Sequence, residues 1–331
     1  YSMAILRSPH AMAYITEIDT AKAEALEGVV AVITHKNVPD VYYMQAGQGN
    51  PEPSPYDRKL MNRKVRHVGD RVAAVVAETI EIAREALKLI KVTYEVLKPV
   101  FTVEEAMAEG ASLVHNSVVE YVVGAPEGLD EYNKGADPRD GKVIYQFPLH
   151  GDIRRNIASA AHGEIGDVEK GFKEADLVIE RTYQTNQIQC TPLEPHVCYA
   201  KIDGGRLVLH ASTQVPYHVR RIVARVCEIP EHKVRVIKER VGGGYGSKQD
   251  ILVEDLVGYA TWLTGKPVYY RNTREEEFIA NSTRHPMRIT MKLGAKKDGT
   301  LTGVYMDVRA NTGPYGNHCL TVPMNACSKT L

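Results

Sequence analysis

The chain has 331 residues, with 41 basic and 41 acidic side chains and 44% hydrophobic content. That balance provides no basic excess for nucleic-acid phosphates, and no apolar run approaches the ~20 residues of a membrane-spanning helix. The expectation is a soluble folded protein of one large or two ordinary domains that binds neither nucleic acid nor membrane.

The first third alternates strand and helix. Residues 3–6 and 13–18 are predicted strands, Thr20 caps a helix through Leu26 that Gly28 ends, and residues 29–33 form an apolar strand expected to be buried on both faces. Residues 47–57 contain Pro51, Pro53 and Pro55 and read as a surface loop. A strand over 71–77, a helix over 79–90 with Ile82, Ala86, Leu89 and Ile90 on one stripe, and a strand over 92–96 complete an α+β unit that closes near Pro99. His67 is read as a structural histidine. From 101 to 165 the periodicity loosens: a short helix over 103–109 precedes a passage rich in Gly, Pro, Asp and Asn, which predicts a connector running over the surface.

Order returns with a short helix over 167–174 and strands over 177–183 and 206–211. Pro216 suits a first helical turn, and Val219, Ile222, Val223 and Val226 then fall on one face of a helix over 216–227. A β-branched strand over 234–237, a helix over 252–263, strands over 266–270 and 287–293, and an Asp298-Gly299 turn into a strand over 301–308 follow. If the strands at 206–211 and 234–237 are parallel, a right-handed crossover places their carboxyl ends on one sheet edge. Gln214 and Gly242 to Gly246 then converge, as ligand sites at such edges do.

The second of these strands runs into Val241-Gly242-Gly243-Gly244-Tyr245-Gly246-Ser247-Lys248-Gln249-Asp250. Four glycines among five residues admit positive φ and close approach of a ligand to backbone. Ser247-x-x-Asp250 has the spacing of a capping box, which predicts a helix N-terminus directly behind the glycines and an anion-attracting end. The nucleotide fingerprints do not fit. A P-loop needs Gly-Lys-[Ser/Thr], whereas Ser247 separates Gly246 from Lys248, and Gly242-x-Gly244-x-Gly246 is one residue short of G-x-G-x-x-G. Cys190, Cys198, Cys227, Cys319 and Cys327 are an odd set without a C-x-x-C pair. They predict free buried thiols, hence a reducing, cytoplasmic setting, and no iron–sulfur or zinc site.

The glycine stretch, preceded by Ser212-Thr213-Gln214, resembles the molybdopterin-binding subunit of the xanthine dehydrogenase and aldehyde oxidase family of molybdenum hydroxylases, most of all bacterial xanthine dehydrogenases. Leu6-Arg7-Ser8-Pro9-His10, Val65 to Asp70, Gly166-Asp167-Val168, Leu193-Glu194-Pro195-His196 and Thr283-Arg284-His285-Pro286 carry the same resemblance along the chain. It implies an α+β chain with an N-terminal α/β hammerhead domain over 1–100 lacking its first segment, a connector over 101–165, and the first part of a mixed α/β molybdopterin-binding domain over 166–331. It implies a molybdenum–molybdopterin cofactor approached by Gly244, Tyr245 and Gly246, with the Gln214 amide directed at an oxo ligand, Gln249 in the substrate pocket and no direct protein ligand to the metal.

The implied reaction is hydroxylation of a purine, another nitrogen heterocycle or an aldehyde with oxygen from water. Electrons pass to iron–sulfur and FAD partner subunits or domains. No glutamate here matches the family's catalytic one, so Glu194 and Glu254 are read as loop and helix carboxylates and no catalytic residue is assigned. The expectation is a chain incomplete at both ends, completed by the remaining part of the molybdenum subunit. A non-catalytic assembly module of such a complex, holding no cofactor, is the alternative. Tyr245 stands where phenylalanine is commoner, and Gln249 lacks the charge of the glutamate often found in purine-hydroxylating relatives, which argues against xanthine itself.

Overall fold

The structure, a computed structural model, describes residues 1–47, 49 and 53–328. Strands β1 (Ser2–Arg7) and β2 (Ala13–Asp19), helix α1 (Ala21–Glu24), strands β3 (Val29–Thr34), β4 (Lys64–Val65) and β5 (Arg71–Ala77), helix α2 (Ile80–Leu89) and strand β6 (Lys91–Val96) come first. Thr79 starts α2 by accepting the Ile82 N–H, and the apolar stripe of the helix lies against β1 and β5 with Ala83 and Ala86 fully buried. These strands divide: β4, β2 and β6 make a small sheet, while β1, β5 and β3 join a larger one.

Helix α3 (Val103–Met107), strand β7 (Val118–Tyr121), helix α4 (Leu129–Asn133) and strand β8 (Lys142–Tyr145) follow. β7 and β8 pair in parallel, and Val119, Val143, Tyr145, Leu149 and Ile153 form a small core beneath them. Asp140, buried ahead of β8, pairs with Lys64 at 3.1 Å and with Arg66, so the segment is tied to β4 by charge as well as by packing.

Helix α5 (Val168–Lys173) and strands β9 (Leu177–Gln184), β10 (Ile188–Gln189), β11 (Val197–Asp203) and β12 (Arg206–Ala211) lead into helix α6 (Pro216–Val226), strand β13 (Val234–Lys238), helix α7 (Glu254–Thr264) and strand β14 (Val268–Arg271). The remainder comprises helix α8 (Arg274–Ile279), strands β15 (Thr283–Arg284), β16 (Met287–Ala295) and β17 (Leu301–Ala310), and helix α9 (Thr321–Ser328). The seven-stranded sheet runs β13-β12-β11-β14-β1-β5-β3. Its halves meet where Ser2 of β1 faces Tyr269 of β14 in parallel. β12 and β13 are parallel over Leu207 opposite Val234 to Ala211 opposite Lys238, as the crossover argument requires. Leu207 and Leu209 of the sheet, Val219 and Val223 of α6, and Leu256 and Val257 of α7 form one buried core. β17, β16 and β9 form a separate antiparallel sheet carrying α5.

Three expectations change. Residues 29–33 are not buried on both faces: β3 is the sheet's edge and Val30 is exposed, whereas β5, flanked by β1 and β3, is buried at all seven positions. Of the 47–57 loop, residues 48 and 50–52 lie outside the described residues, and Ser54 to Asp57 are buried rather than on the surface. Tyr56 exchanges backbone hydrogen bonds with Ile144, and Asp57 accepts the Gly316 N–H at 2.7 Å. Thr20 makes no side-chain cap, because its hydroxyl donates to Glu24 at 2.7 Å instead. The five cysteines are free; Cys198, Cys227 and Cys319 are buried, and burial pushes the Cys227 and Cys319 thiols up to about 12, whereas Cys190 and Cys327 are partly exposed. Among the described residues no helix is long and apolar enough to cross a membrane.

Candidate cofactor site

β12 and β13 end side by side, and the segments that leave them meet. Gln214 lies against Gly244 so closely that a Cβ on Gly244 would stand 2.4 Å from Gln214 Oε1 and 2.9 Å from its Cδ. Only glycine permits that contact. Oε1 is buried and has no hydrogen-bond partner among the described residues. An unmatched buried amide oxygen costs about 1–3 kcal/mol, so an amide held in this state has the character of one awaiting a ligand. A half-turn about its terminal torsion presents the NH₂ at the same place, so the position suits a donor or an acceptor.

The glycine stretch does not open a helix. Ser247–Gln249 forms a single 3-10 turn, and α7 begins only at Glu254. Ser247 Oγ donates to the Gly244 carbonyl at 2.9 Å rather than accepting as a cap. Asp250 turns to other segments, accepting from Gln45 Nε2 at 3.3 Å and from Ser282, with His318 Nε2 at 3.3 Å. Burial opposes its charge, but His318, Ser282 and Gln45 outweigh burial and hold the carboxyl below the usual carboxylate range. The cap pattern fails because the Ser247 hydroxyl turns back to donate to a carbonyl of the glycine stretch, while Asp250 finds its partners outside the segment.

The remaining sequence-predicted residues surround this contact. Gly246 adopts φ +96°, and a side chain there would meet open space. Tyr245 has φ 53°, a left-handed conformation uncommon for a bulky residue, and is 67% exposed. Its carbonyl accepts from the Cys190 thiol at 3.6 Å. Gln249 is half-buried at the end of the 3-10 turn, its N–H donating to Gly246 O at 3.2 Å.

Behind the loop lies a network that sequence reasoning missed. The Lys248 side chain is fully buried, and its ammonium donates to Glu194 O at 2.9 Å, Glu194 Oε2 at 2.8 Å and Ser212 Oγ at 2.8 Å. Glu194 Oε2 also accepts from Ser212 Oγ at 2.5 Å and from Gly242 N–H at 2.8 Å. Burial would raise the Glu194 carboxyl, but hydrogen bonds from Lys248, Ser212 and Gly242 hold it below its ordinary value. The Lys248 carbonyl accepts from Gln214 N–H at 2.8 Å and Thr213 Oγ1 at 3.3 Å. His196 adds a further tie, with Nε2 3.3 Å from Ser247 O and Nδ1 3.1 Å from Glu277. Glu254 is buried, its carboxylate accepting the N–H groups of Leu252 and Val253, and burial pushes its carboxyl up. A lysine inside a glycine-rich turn, downstream of Glu194 and Ser212, was the one available signal for this network.

This arrangement can receive a group that needs close backbone approach, one amide partner and open space beside Gly246. A molybdopterin cofactor meets those demands. Known proteins bear on the same point. The chain matches the model of the molybdopterin cofactor-binding domain over residues 149–331, and that of the aldehyde oxidase and xanthine dehydrogenase a/b hammerhead domain over 2–98. It is 61% identical over 327 residues to the probable hypoxanthine oxidase XdhD of Escherichia coli K12, covering 99% of this chain and 34% of that protein. It is 32% identical over 321 residues to the nicotinate dehydrogenase large molybdopterin subunit of Eubacterium barkeri, covering 95% and 64%. Quinoline 2-oxidoreductase from Pseudomonas putida 86 superposes with a TM-score of 0.70 at 27% identity, over 93% of this chain and 35% of that one. The chain thus spans about a third of the length of the XdhD relatives it matches. Its α+β fold is a hammerhead domain followed by the start of a molybdopterin-binding domain, and the chain belongs to the aldehyde oxidase and xanthine dehydrogenase family of molybdopterin-binding proteins.

Proposed function

We propose that this chain forms the glycine-loop side of a molybdenum–molybdopterin site in an oxidoreductase that hydroxylates a purine, another nitrogen heterocycle or an aldehyde. The buried Gln214 Oε1, unpartnered among the described residues and set against Gly244, carries the reading. Gln214 and the backbone of Gly244, Tyr245 and Gly246 hold the cofactor, and Gln249 lines the substrate pocket. When bound, the cofactor supplies the two-electron chemistry that installs a water-derived oxygen on an electron-poor carbon. The chain's own part is to fix donors in place before substrate arrives, so that charge is stabilised without reorganisation. Hypoxanthine, nicotinate and quinoline in the relatives' names support a nitrogen heterocycle, and Gln249 offers that ring an uncharged partner. The remaining part of the molybdenum subunit, with iron–sulfur and FAD partners, completes the enzyme. A cytoplasmic location fits the free thiols.

The test uses the complete complex. Metal analysis and pterin extraction are expected to find molybdenum and pterin, and Gln214→Ala and Gly246→Val to lower turnover, the former about a hundredfold, the loss seen when one preorganised donor is removed. Absence of both molybdenum and pterin, or unchanged turnover in both variants, would leave the assembly-module reading in its place.

A further inference from the structure

We propose that Lys248 is a positioning residue, a buried ammonium clamp that sets the glycine loop and Gln214 in register so that together they hold the cofactor. The inference rests on the cofactor reading of the site. A lysine in a glycine-rich turn invites the role of an anion ligand, but an ammonium has three N–H donors. All three are occupied by Glu194 O, Glu194 Oε2 and Ser212 Oγ, and the side chain is fully buried. Its charge therefore faces the protein, where Glu194 balances it.

One residue thereby touches every segment of the site. Through Nζ it holds the 194 and 212 segments, and through its carbonyl it holds the Gln214 N–H at 2.8 Å and Thr213 Oγ1 at 3.3 Å. Glu194 extends the clamp to the start of the loop, because its Oε2 accepts the Gly242 N–H and its own N–H donates to Gly242 O at 3.1 Å. Gln214 and Gly244 meet with no room for a methyl group, so a small slip between the segments removes their registration.

The test uses the complete complex, with four readouts: molybdenum and pterin per polypeptide, the molybdenum(V) paramagnetic resonance signal, kcat and KM, and melting temperature. Lys248→Met is expected to lower cofactor content about tenfold, or to lower kcat about tenfold with KM little changed in molecules that retain cofactor, the loss typical when a group that orients a ligand is removed. Lys248→Met/Glu194→Gln leaves no unpaired charge, so it is expected to recover melting temperature but not cofactor content or kcat. If Lys248→Met does not accumulate, the double variant and Ser212→Ala carry the test, the latter expected to lower content about threefold as one acceptor of three is lost.

Wild-type content, signal and kcat in Lys248→Met would overturn the proposal. So would recovery of all three in the double variant, which would make the pair structural only, or unchanged content in both substitutes. A wild-type complex without molybdenum or pterin removes the cofactor reading itself and the clamp with it.

Discussion

Asp255→Asn probes how the site is anchored to the rest of the fold. Asp255 sits in the first turn of α7, fully buried, and receives Arg71 Nη1 at 2.8 Å and Nη2 at 2.9 Å, together with the Tyr43 hydroxyl. Arg71 Nη2 also holds the Leu252 carbonyl at 2.6 Å. Arg71 and Tyr43 belong to the hammerhead region, and Leu252 and Asp255 to the segment that leaves the glycine loop. Asparagine preserves the shape but leaves the guanidinium without a countercharge. Breaking a buried pair on one side costs about 3–5 kcal/mol, and the surviving acceptor oxygen of asparagine places the expected loss near 3 kcal/mol.

Urea denaturation of wild type and variant, followed by circular dichroism and Trp262 fluorescence, measures that loss. The pH dependence gives a second check. Burial pushes the Asp255 carboxyl up, but the Arg71 charge and the hydrogen bonds from Arg71 and Tyr43 outweigh it and hold the carboxyl below its ordinary value. A depressed folded-state value means that the stabilisation is present above the unfolded value of about 3.9 and is lost as pH falls through the folded value. The difference between wild type and variant should stay level from about pH 5 to 8 and narrow below about pH 4. A loss under about 1 kcal/mol, or a gap that widens on acidification, would refute the argument.

Asp57 should show the opposite slope. Burial pushes its carboxyl up to about 7 despite the Gly316 N–H and nearby Arg66 and Arg58, so its contribution is fully present below the unfolded value of about 3.9 and is lost as pH rises through about 7. Asp57→Asn should flatten the melting temperature between about pH 4 and 7, and an unchanged slope would count against it. Gly171→Ala should destabilise by about 1–3 kcal/mol in urea, because its Cβ would stand 2.0 Å from the Thr302 carbonyl oxygen, a backbone atom of β17 that cannot yield cheaply. Alanine's better helix propensity makes a gain of up to about 1 kcal/mol the outcome that would contradict the packing.

What could be read from the sequence was what chemistry keeps local. Val219, Ile222, Val223 and Val226 declared α6 by their period behind Pro216, an apolar run marked β12 and a β-branched run marked β13, so the convergence of Gln214 with the glycine loop followed from one topological rule. Sheet order is not local, which is why burial was assigned to β3 when β5 holds the interior place. The small core of Val119, Val143, Tyr145 and Leu149 escaped notice because each short element contributes only one or two residues to it. Ser247 and Asp250 carried the spacing of a cap, yet Asp250 is claimed by Gln45 and Ser282, partners far away in the chain. Glu194 and Lys248 are likewise separated by 54 residues, and only the fold makes them a pair.

Tyr245 brings the strain of the loop and its use into one argument. A non-glycine residue in the left-handed region costs about 1–2 kcal/mol, and glycine, abundant on both sides, would avoid it. The tyrosine ring recovers little by burial, being 67% exposed. Strain of this kind persists where a side chain is needed for a reason other than stability. Tyr245→Gly should therefore stabilise the chain by about 0.5–1 kcal/mol, the relief of the left-handed backbone less the added freedom of glycine in the unfolded state. In the complete complex it should at the same time weaken substrate turnover, since Tyr245 directly follows Gly244 in the loop and its ring stands over Gly243, where a Cβ would lie 3.1 Å from it. A variant that is both less stable and fully active would show that the tyrosine was retained for the fold, and that the ring has no part in the site.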